Sequence, residues 1–354
     1  MLTPAGCQSR RDRLAAIMEQ NGWDLFLTGN RRTAYYFSGT LAAADQPVAF
    51  LLRGDGRHDL LTAEVYSASR PVVLPYHDLL PRLRDALGSG ARFAAVELAG
   101  TPGIYSSLLP AAVDASADIY RLRKRKEPDE VAEIRESLGF CAAAYRAARE
   151  VIRPGLTELD VYNAMNAAVV KAAGTTIHFA GDFACGERAI TAGGPPTART
   201  ILPGDLYILD LFPARALYFG DTCRTFAAGE PTSGQVEAFQ VVREAVALGE
   251  RAVKPGVRAA AVHAMVKEFL DSHEITRKSF WHHSGHGIGH HGHEAPRIQP
   301  GSDDIFEAGD VITLEPGCYG THLQGGIRLE DNYLVTESGL ENLFAFPMEL
   351  RPGV

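Results

Sequence analysis

Four acidic residues of this chain stand where their charges would have to be compensated. Asp210 ends the apolar run 206–209, a position where an ionised group is costly unless something balances it. The chain then turns through Phe212-Pro-Ala-Arg215 and returns to Asp221-Thr-Cys-Arg-Thr-Phe226. Facing residues of an antiparallel hairpin share one position sum. A turn centred on 215/216 therefore sets Asp210 opposite Asp221, with Cβ atoms about 5 Å apart. Glu315 follows a second apolar run, 311–314, and Glu330 lies in Gly326-Ile-Arg-Leu-Glu-Asp331. Any one of these acids by itself reads as a salt bridge or a solvated loop residue. Four of them turned inward repel one another without cations, and hard oxygen donors in that number suit a pair of Mn²⁺, Co²⁺ or Zn²⁺ ions.

Histidine supplies a second cluster. Six of the twelve histidines fall in His282-His-Ser-Gly-His286-Gly-Ile-Gly-His290-His-Gly-His293. For His283, His290 and His291 an incidental His-rich tract is a sufficient account. The stretch Gly287-Ile-Gly-His-His-Gly292 also fits G-x-G-x-x-G, but no long helical pattern opens after it, so dinucleotide binding is set aside. No H-E-x-x-H occurs, which excludes the helical zinc-protease arrangement.

The elements that must position these groups repeat. Apolar positions 131, 134, 138, 142 and 145 form a helical stripe, followed by Pro154-Gly155 and a helix opening at Thr157 with Asp160 three residues on. Positions 241, 242, 245 and 248, then Pro255-Gly256 and a helix over about 259–270, follow the same order. Pro154-Gly155 recurs after 101 residues, and Gly204-Asp205 with Asp210 recurs after 105 as Gly309-Asp310 with Glu315. The matched offsets predict a duplicated domain with a pseudo-twofold axis and a central site. Ahead of it, a helix over 13–20 and short apolar runs at 23–27, 48–52, 60–61, 72–74 and 93–96 predict a smaller α/β domain without a catalytic cluster. The basic run Arg121-Leu-Arg-Lys-Arg-Lys126, closed by Glu127-Pro-Asp129, marks the junction, placing the domains at 1–122 and 123–354.

Composition narrows the class. The 354 residues are 46% hydrophobic and 22% charged, the balance of a globular protein of about two domains. A formal charge of −8 argues against nucleic acid or an anionic membrane as partner, since phosphate recognition needs local Lys and Arg in excess. The sequence lacks the run of roughly 18 apolar residues that a spanning helix needs and lacks a signal-peptide core, so a cytoplasmic location is expected. Five scattered cysteines without C-x-x-C read as small buried hydrophobes.

Together, Asp210 and Asp221, Gly285-His286-Gly-Ile-Gly289 with His293-Glu294, Glu315-Pro-Gly-Cys-Tyr319 and Gly326-Ile-Arg328-Leu-Glu330-Asp331 resemble the pita-bread metallopeptidases, in particular the Xaa-Pro aminopeptidase and prolidase branch. The resemblance covers nearly the whole chain. It implies an α+β fold: a pita-bread catalytic domain with an internal pseudo-twofold repeat, preceded by a creatinase/prolidase-like N-terminal domain. It implies Asp210, Asp221, His286, Glu315 and Glu330 as ligands of two divalent ions, manganese foremost, with Asp221 and Glu330 bridging. It implies hydrolysis of an N-terminal Xaa-Pro bond by a hydroxide that bridges the ions, Glu315 as general base, and His282 or His293 as donor to the scissile amide oxygen. Arg328 and Tyr319 match positions that steady ligand carboxylates or substrate; for Arg328 an ion pair inside the cluster is the alternative. A small peptide substrate and a homodimer are expected on the same ground.

One departure stands out. Relatives place a substrate-facing histidine shortly before Pro-Thr-x-Arg, and here Pro196-Thr-Ala-Arg199 is preceded by Gly193. Either His290 or His291 takes the role, or the substrate does not need it, and Gly193→His is expected to raise turnover of proline peptides. The departure also leaves open a hydrolase of a non-peptide amide or other carbon–nitrogen bond on the same fold. A pure binding module is disfavoured because no ligand position is lost.

Overall fold

The computed structural model describes residues 1–44, 46–62, 75–88, 93–191 and 193–351, and the apolar run expected at 72–74 lies outside these residues. The chain forms two compact units, Met1–Arg123 and Lys124–Val354.

In the first unit the order is α1 (Pro4–Asn21), β1 (Leu25–Thr28), α2 (Arg31–Ser38), β2 (Val48–Arg53), β3 (His58–Thr62), α3 (Pro75–Leu87), β4 (Ala94–Val96), α4 (Gly103–Ser106), β5 (Val113–Asp114) and α5 (Ser116–Lys124). Asn21-Gly22 stops α1 because Gly22 takes the left-handed conformation (φ +68°) that closes a helix C-terminus. The strands form one sheet in the order β3-β2-β1-β4-β5, with β1 antiparallel to β2 and parallel to β4. All four residues of β1 are buried, which accounts for its continuous apolar run.

The second unit begins with α6 (Pro128–Val151), whose Glu127 and Glu130 form a capping box with Pro128 at the first helical position. Next come α7 (Glu158–Ala173), capped by Thr157 and Asp160 as expected, then β6 (Gly181–Cys185), β7 (Leu206–Leu211), β8 (Ala214–Arg215), β9 (Tyr218–Phe219) and β10 (Thr222–Ala227). Then follow α8 (Ser233–Ala252), α9 (Ala259–Ser272), β11 (Gly285–Gly287), β12 (Glu294–Ile298), β13 (Val311–Leu314), β14 (Gly317–Gly320), β15 (Gly325–Arg328), β16 (Asp331–Thr336) and β17 (Gly339–Asn342). β7 lies between β10 and β6 in one antiparallel sheet; a second has the order β12-β11-β13-β16-β17.

The duplication read from spacing reappears in backbone hydrogen bonds. Gly155 N donates to Ile201 O at 2.9 Å, and Gly256 N to Phe306 O at 2.8 Å; these pairs are related by the offsets of 101 and 105. Leu202 N donates to the Asp205 carboxylate at 2.8 Å, and Glu307 N to that of Asp310 at 2.9 Å, again 105 residues apart. Each half thus anchors the start of its strand, β7 or β13, in the same way. Each strand then carries an acid at its end, Asp210 one residue before the last of β7 and Glu315 just past β13. The core behind β13 is built from Ile312 and Leu314 with Val242, Ala245 and Val246 of α8, all nearly inaccessible. Buried aliphatic side chains of this kind stabilise by about 1.5–3 kcal/mol each, enough to hold charged groups on the opposite face.

Candidate metal centre

The expected hairpin forms, but one residue further along. Asp210 registers with Cys223, and Arg215 with Tyr218, so the turn is Ala216-Leu217, both at positive φ (46° and 68°). Asp221 stands two residues before Cys223, and so on the same face as Asp210 but diagonal to it rather than opposite. The shift came from the turn: two consecutive left-handed residues favour Gly or Asn, and neither is present here to mark the place.

A backbone bond, a backbone-to-side-chain bond and an ion pair join the two halves at the site. Glu330 N donates to Cys223 O at 3.0 Å, Arg328 N donates to Thr225 Oγ1 at 3.0 Å, and the buried Arg224 pairs with Asp331 at 2.6 Å. These bonds bring Glu330 from its turn after β15 against β10. His286 is delivered by β11 in a close-packed corner. A Cβ on Gly285 would lie 2.1 Å from Thr313 O, and one on Gly287 1.9 Å from Ala295 O, so the glycines flanking the imidazole admit no larger residue.

Asp210, Asp221, His286, Glu315 and Glu330 converge on one cavity of about 180 Å³, together with Asp182, Phe212, Trp281, His282, His283, His293 and Arg328. Ligating atoms of Asp221, His286 and Glu330 lie within 4.8 Å of one another, as do those of His282, His283 and Glu315. His286 Nδ1 donates to Gly287 O at 3.0 Å, which fixes its tautomer. Nε2 is thereby left 3.2 Å from Glu315 and 3.6 Å from Asp221. That nitrogen is the one a cation among the carboxylates would take as a ligand.

The donor set passes a further test for metal. Asp210 Oδ1 and both carboxylate oxygens of Glu330 are buried without a hydrogen bond, an expensive state for acceptors that have no cation to meet. Burial, then the neighbouring carboxylates, push Asp221 and Glu330 well above the ordinary carboxylate range, and burial brings Asp210 up to about 6. Glu315 differs. Burial would raise it, but the imidazoles of His283 and His286, 3.1 and 3.2 Å away, outweigh that and hold it well below its usual value.

Of the two histidines matched as amide-oxygen donors, the geometry separates them. His282 Nδ1 donates to His283 O at 2.7 Å and Nε2 meets Tyr319 Oη at 2.8 Å, so both its nitrogens are engaged. His293 packs its ring 3.9 Å from that of His286, faces the cavity and makes no hydrogen bond among the described residues. Burial draws both down to about 4. Arg328 takes the ion-pair alternative: Nη2 lies 2.6 Å from Asp210 and 2.8 Å from Asp182, while Nη1 donates to Tyr319 Oη at 3.2 Å.

His290 and His291 do not fill the place of the missing histidine. His290 packs on Tyr218 with ring centroids 4.1 Å apart, and neither residue lines the cavity. Nor is there room for a side chain at Gly193. Its φ is +138°, and a Cβ there would lie 2.5 Å from Asp182 Cβ and 2.6 Å from Cγ. The expected gain from Gly193→His is overturned, because Asp182 occupies that space. Sequence reading passed over Asp182 and treated His283 as incidental, yet His283 Nδ1 lies 3.1 Å from Glu315.

A duplicated α+β unit that buries four carboxylates and an imidazole around one cavity defines a metal-dependent hydrolase. The chain belongs to metallopeptidase family M24, whose family model matches residues 132–337, and its first unit matches the Creatinase/Prolidase N-terminal domain over 10–125. Membership implies divalent metal at this centre, which the donors fit. Similar proteins include the uncharacterized peptidase YqhT of Bacillus subtilis, 31% identical over 71% of each chain. The Xaa-Pro dipeptidase of Pyrococcus furiosus is 27% identical over 97% of this chain and 99% of its own. Among solved structures, an Xaa-Pro dipeptidase from Bacillus anthracis superposes with a TM-score of 0.83 at 26% identity, covering 98% of this chain and 99% of that one. Among the described residues no helix is long and apolar enough to cross a membrane.

Proposed function

We propose that this enzyme hydrolyses N-terminal Xaa-Pro peptide bonds with two divalent ions, manganese foremost, held by Asp210, Asp221, His286, Glu315 and Glu330, with Asp221 and Glu330 shared between them. The observation that carries the reading is the set of buried carboxylate oxygens without hydrogen bonds around His286 Nε2, in a chain whose relatives include Xaa-Pro dipeptidases. Bound divalent ions would supply Lewis acidity and a nucleophile at neutral pH.

The protein's own groups do the rest. Glu315, kept ionised by His283 and His286, accepts a proton from the attacking water and returns it to the leaving nitrogen. His293 turns to the scissile amide oxygen as donor, and Tyr319 with Arg328 holds His282 and Asp210 in place. Phe212 and Trp281 give the cavity an apolar wall against which a pyrrolidine ring can pack. Gly193 keeps a second reading in play, hydrolysis of a non-peptide amide. Metal-reconstituted protein assayed on Xaa-Pro, Xaa-Ala and non-peptide amides decides between them: cleavage confined to the last group would replace the first reading. We take the enzyme to act as a cytoplasmic homodimer, to be checked by sedimentation and cell fractionation.

A further inference from the structure

Asp182 has no part in the set of ligands, yet it stands in the same cavity. It is the cross-strand partner of Asp210 in the β6–β7 pair, and its side chain is 31% exposed, more than that of any ligand for which an exposure is given. One oxygen, Oδ2, accepts from Arg328 at 2.8 Å, and Oδ1 has no hydrogen bond among the described residues. The room it occupies exists because residue 193 is a glycine.

The charges around it say what it can receive. On the reading above, two divalent ions balance the four ligand carboxylates, and Asp182 cancels Arg328. Both terminal nitrogens of Arg328 are engaged, Nη2 by Asp182 and Asp210 and Nη1 by Tyr319, and its Nε, though without a hydrogen bond, is buried, so it offers a substrate carboxylate no exposed nitrogen. The cavity therefore carries no surplus positive charge, and among the carboxylates that line it Asp182 is the most exposed for which an exposure is given and keeps one oxygen without a hydrogen bond. A carboxylate in this state gains most from an ammonium or guanidinium, since charge-assisted hydrogen bonds are shorter and stronger than neutral ones.

We infer that Asp182 is a specificity-determining residue that binds a cationic group of the substrate beside the scissile bond. This rests on the peptidase reading of the site. The cation has two sources in a dipeptide: the α-amino group, or a basic side chain on the residue before proline. Either would be read by the same oxygen.

The test compares Lys-Pro, Nα-acetyl-Lys-Pro and Nε-acetyl-Lys-Pro on metal-loaded wild type and Asp182→Asn, which keeps an oxygen for Arg328 but removes the charge. In wild type, blocking the amine that Asp182 reads should raise KM by about 10- to 100-fold with little change in kcat, and Asp182→Asn should abolish that difference. Sensitivity to the ε-block assigns the side chain; sensitivity to the α-block assigns the terminus. A difference of the same size in both proteins overturns the inference, and so does an equal fall in kcat on all three peptides, which would make Asp182 only a support for Arg328. If none of the peptides is cleaved, the proline-peptidase reading fails separately. Calorimetric titration with lysinamide and its two monoacetylated forms then answers for Asp182: tighter binding of lysinamide that disappears in Asp182→Asn supports it, and equal binding overturns it.

Discussion

Replacing Gly193 by alanine adds one carbon, and the structure says where it goes. That carbon would lie 2.5 Å from Asp182 Cβ, whereas carbon atoms rest at about 3.5–4.0 Å, so one of the two segments must retreat by about 1 Å. Overpacking of this kind costs about 1–3 kcal/mol. Holding a non-glycine residue at φ +138° costs about 1–3 kcal/mol more. The sum, roughly 2–6 kcal/mol, is a large part of the 5–15 kcal/mol that keeps a protein folded. Urea denaturation of wild type, Gly193→Ala, Asp182→Gly and the double variant resolves the two contributions. Gly193→Ala should be markedly less stable than wild type, and about half its cost should vanish in the Asp182→Gly background, leaving the backbone strain. Gly193→Ala as stable as wild type within about 0.5 kcal/mol, or a cost unchanged by Asp182→Gly, would refute the packing argument.

Three further outcomes follow from the centre itself. Asp221→Ala should abolish stoichiometric binding of about two Mn²⁺ ions per chain, read by calorimetry and elemental analysis; retention of both ions would remove Asp221 as a shared ligand. Glu315→Gln should lower kcat by about 10²-fold or more, and near-normal turnover with metal bound would assign the base elsewhere. Chelated protein should lose stability as pH rises above about 8, where His282 and His293, depressed to about 4 in the fold and near 6.5 when unfolded, are neutral in both states. The sign follows from Asp221 and Glu330: acids raised by folding bind more protons in the native state, so stability falls as pH climbs through their folded values. Saturating metal should remove that fall, and thermal melts at pH 7, 8 and 9 with and without chelator measure it.

What spacing could reveal was the repetition and its acids. Offsets of 101 and 105 residues sufficed to pair Asp210 with Glu315 and to foresee both helix pairs, because a capping box and a strand ending on an acid are local features written in adjacent residues. The register of the hairpin was not local in that sense. Ala216 and Leu217 take left-handed conformations imposed by the surrounding structure, against their own preference. Asp182 was hidden for a different reason: its meaning depends on Gly193 and Arg328, which only the folded sheet brings beside it. The same holds for His290, whose imidazole packs on a tyrosine far away in sequence, and for His282, whose second nitrogen is taken by Tyr319.

The pairing of Cys223 with Glu330 joins the two halves of the duplicated unit directly beneath acids that repel one another. On the proposed ligand set neither half holds every donor: Asp210 and Asp221 come from one, His286, Glu315 and Glu330 from the other. Bound ions would therefore act as a clasp as well as a reagent. Any cation bound only when the halves are closed adds RT ln(1 + [L]/Kd) to their cohesion, about 2.7 kcal/mol at a hundredfold excess over Kd. Metal supply thus sets how tightly this seam is shut, and amide protons of β10 and the 328–331 segment should exchange fastest when the metal is gone.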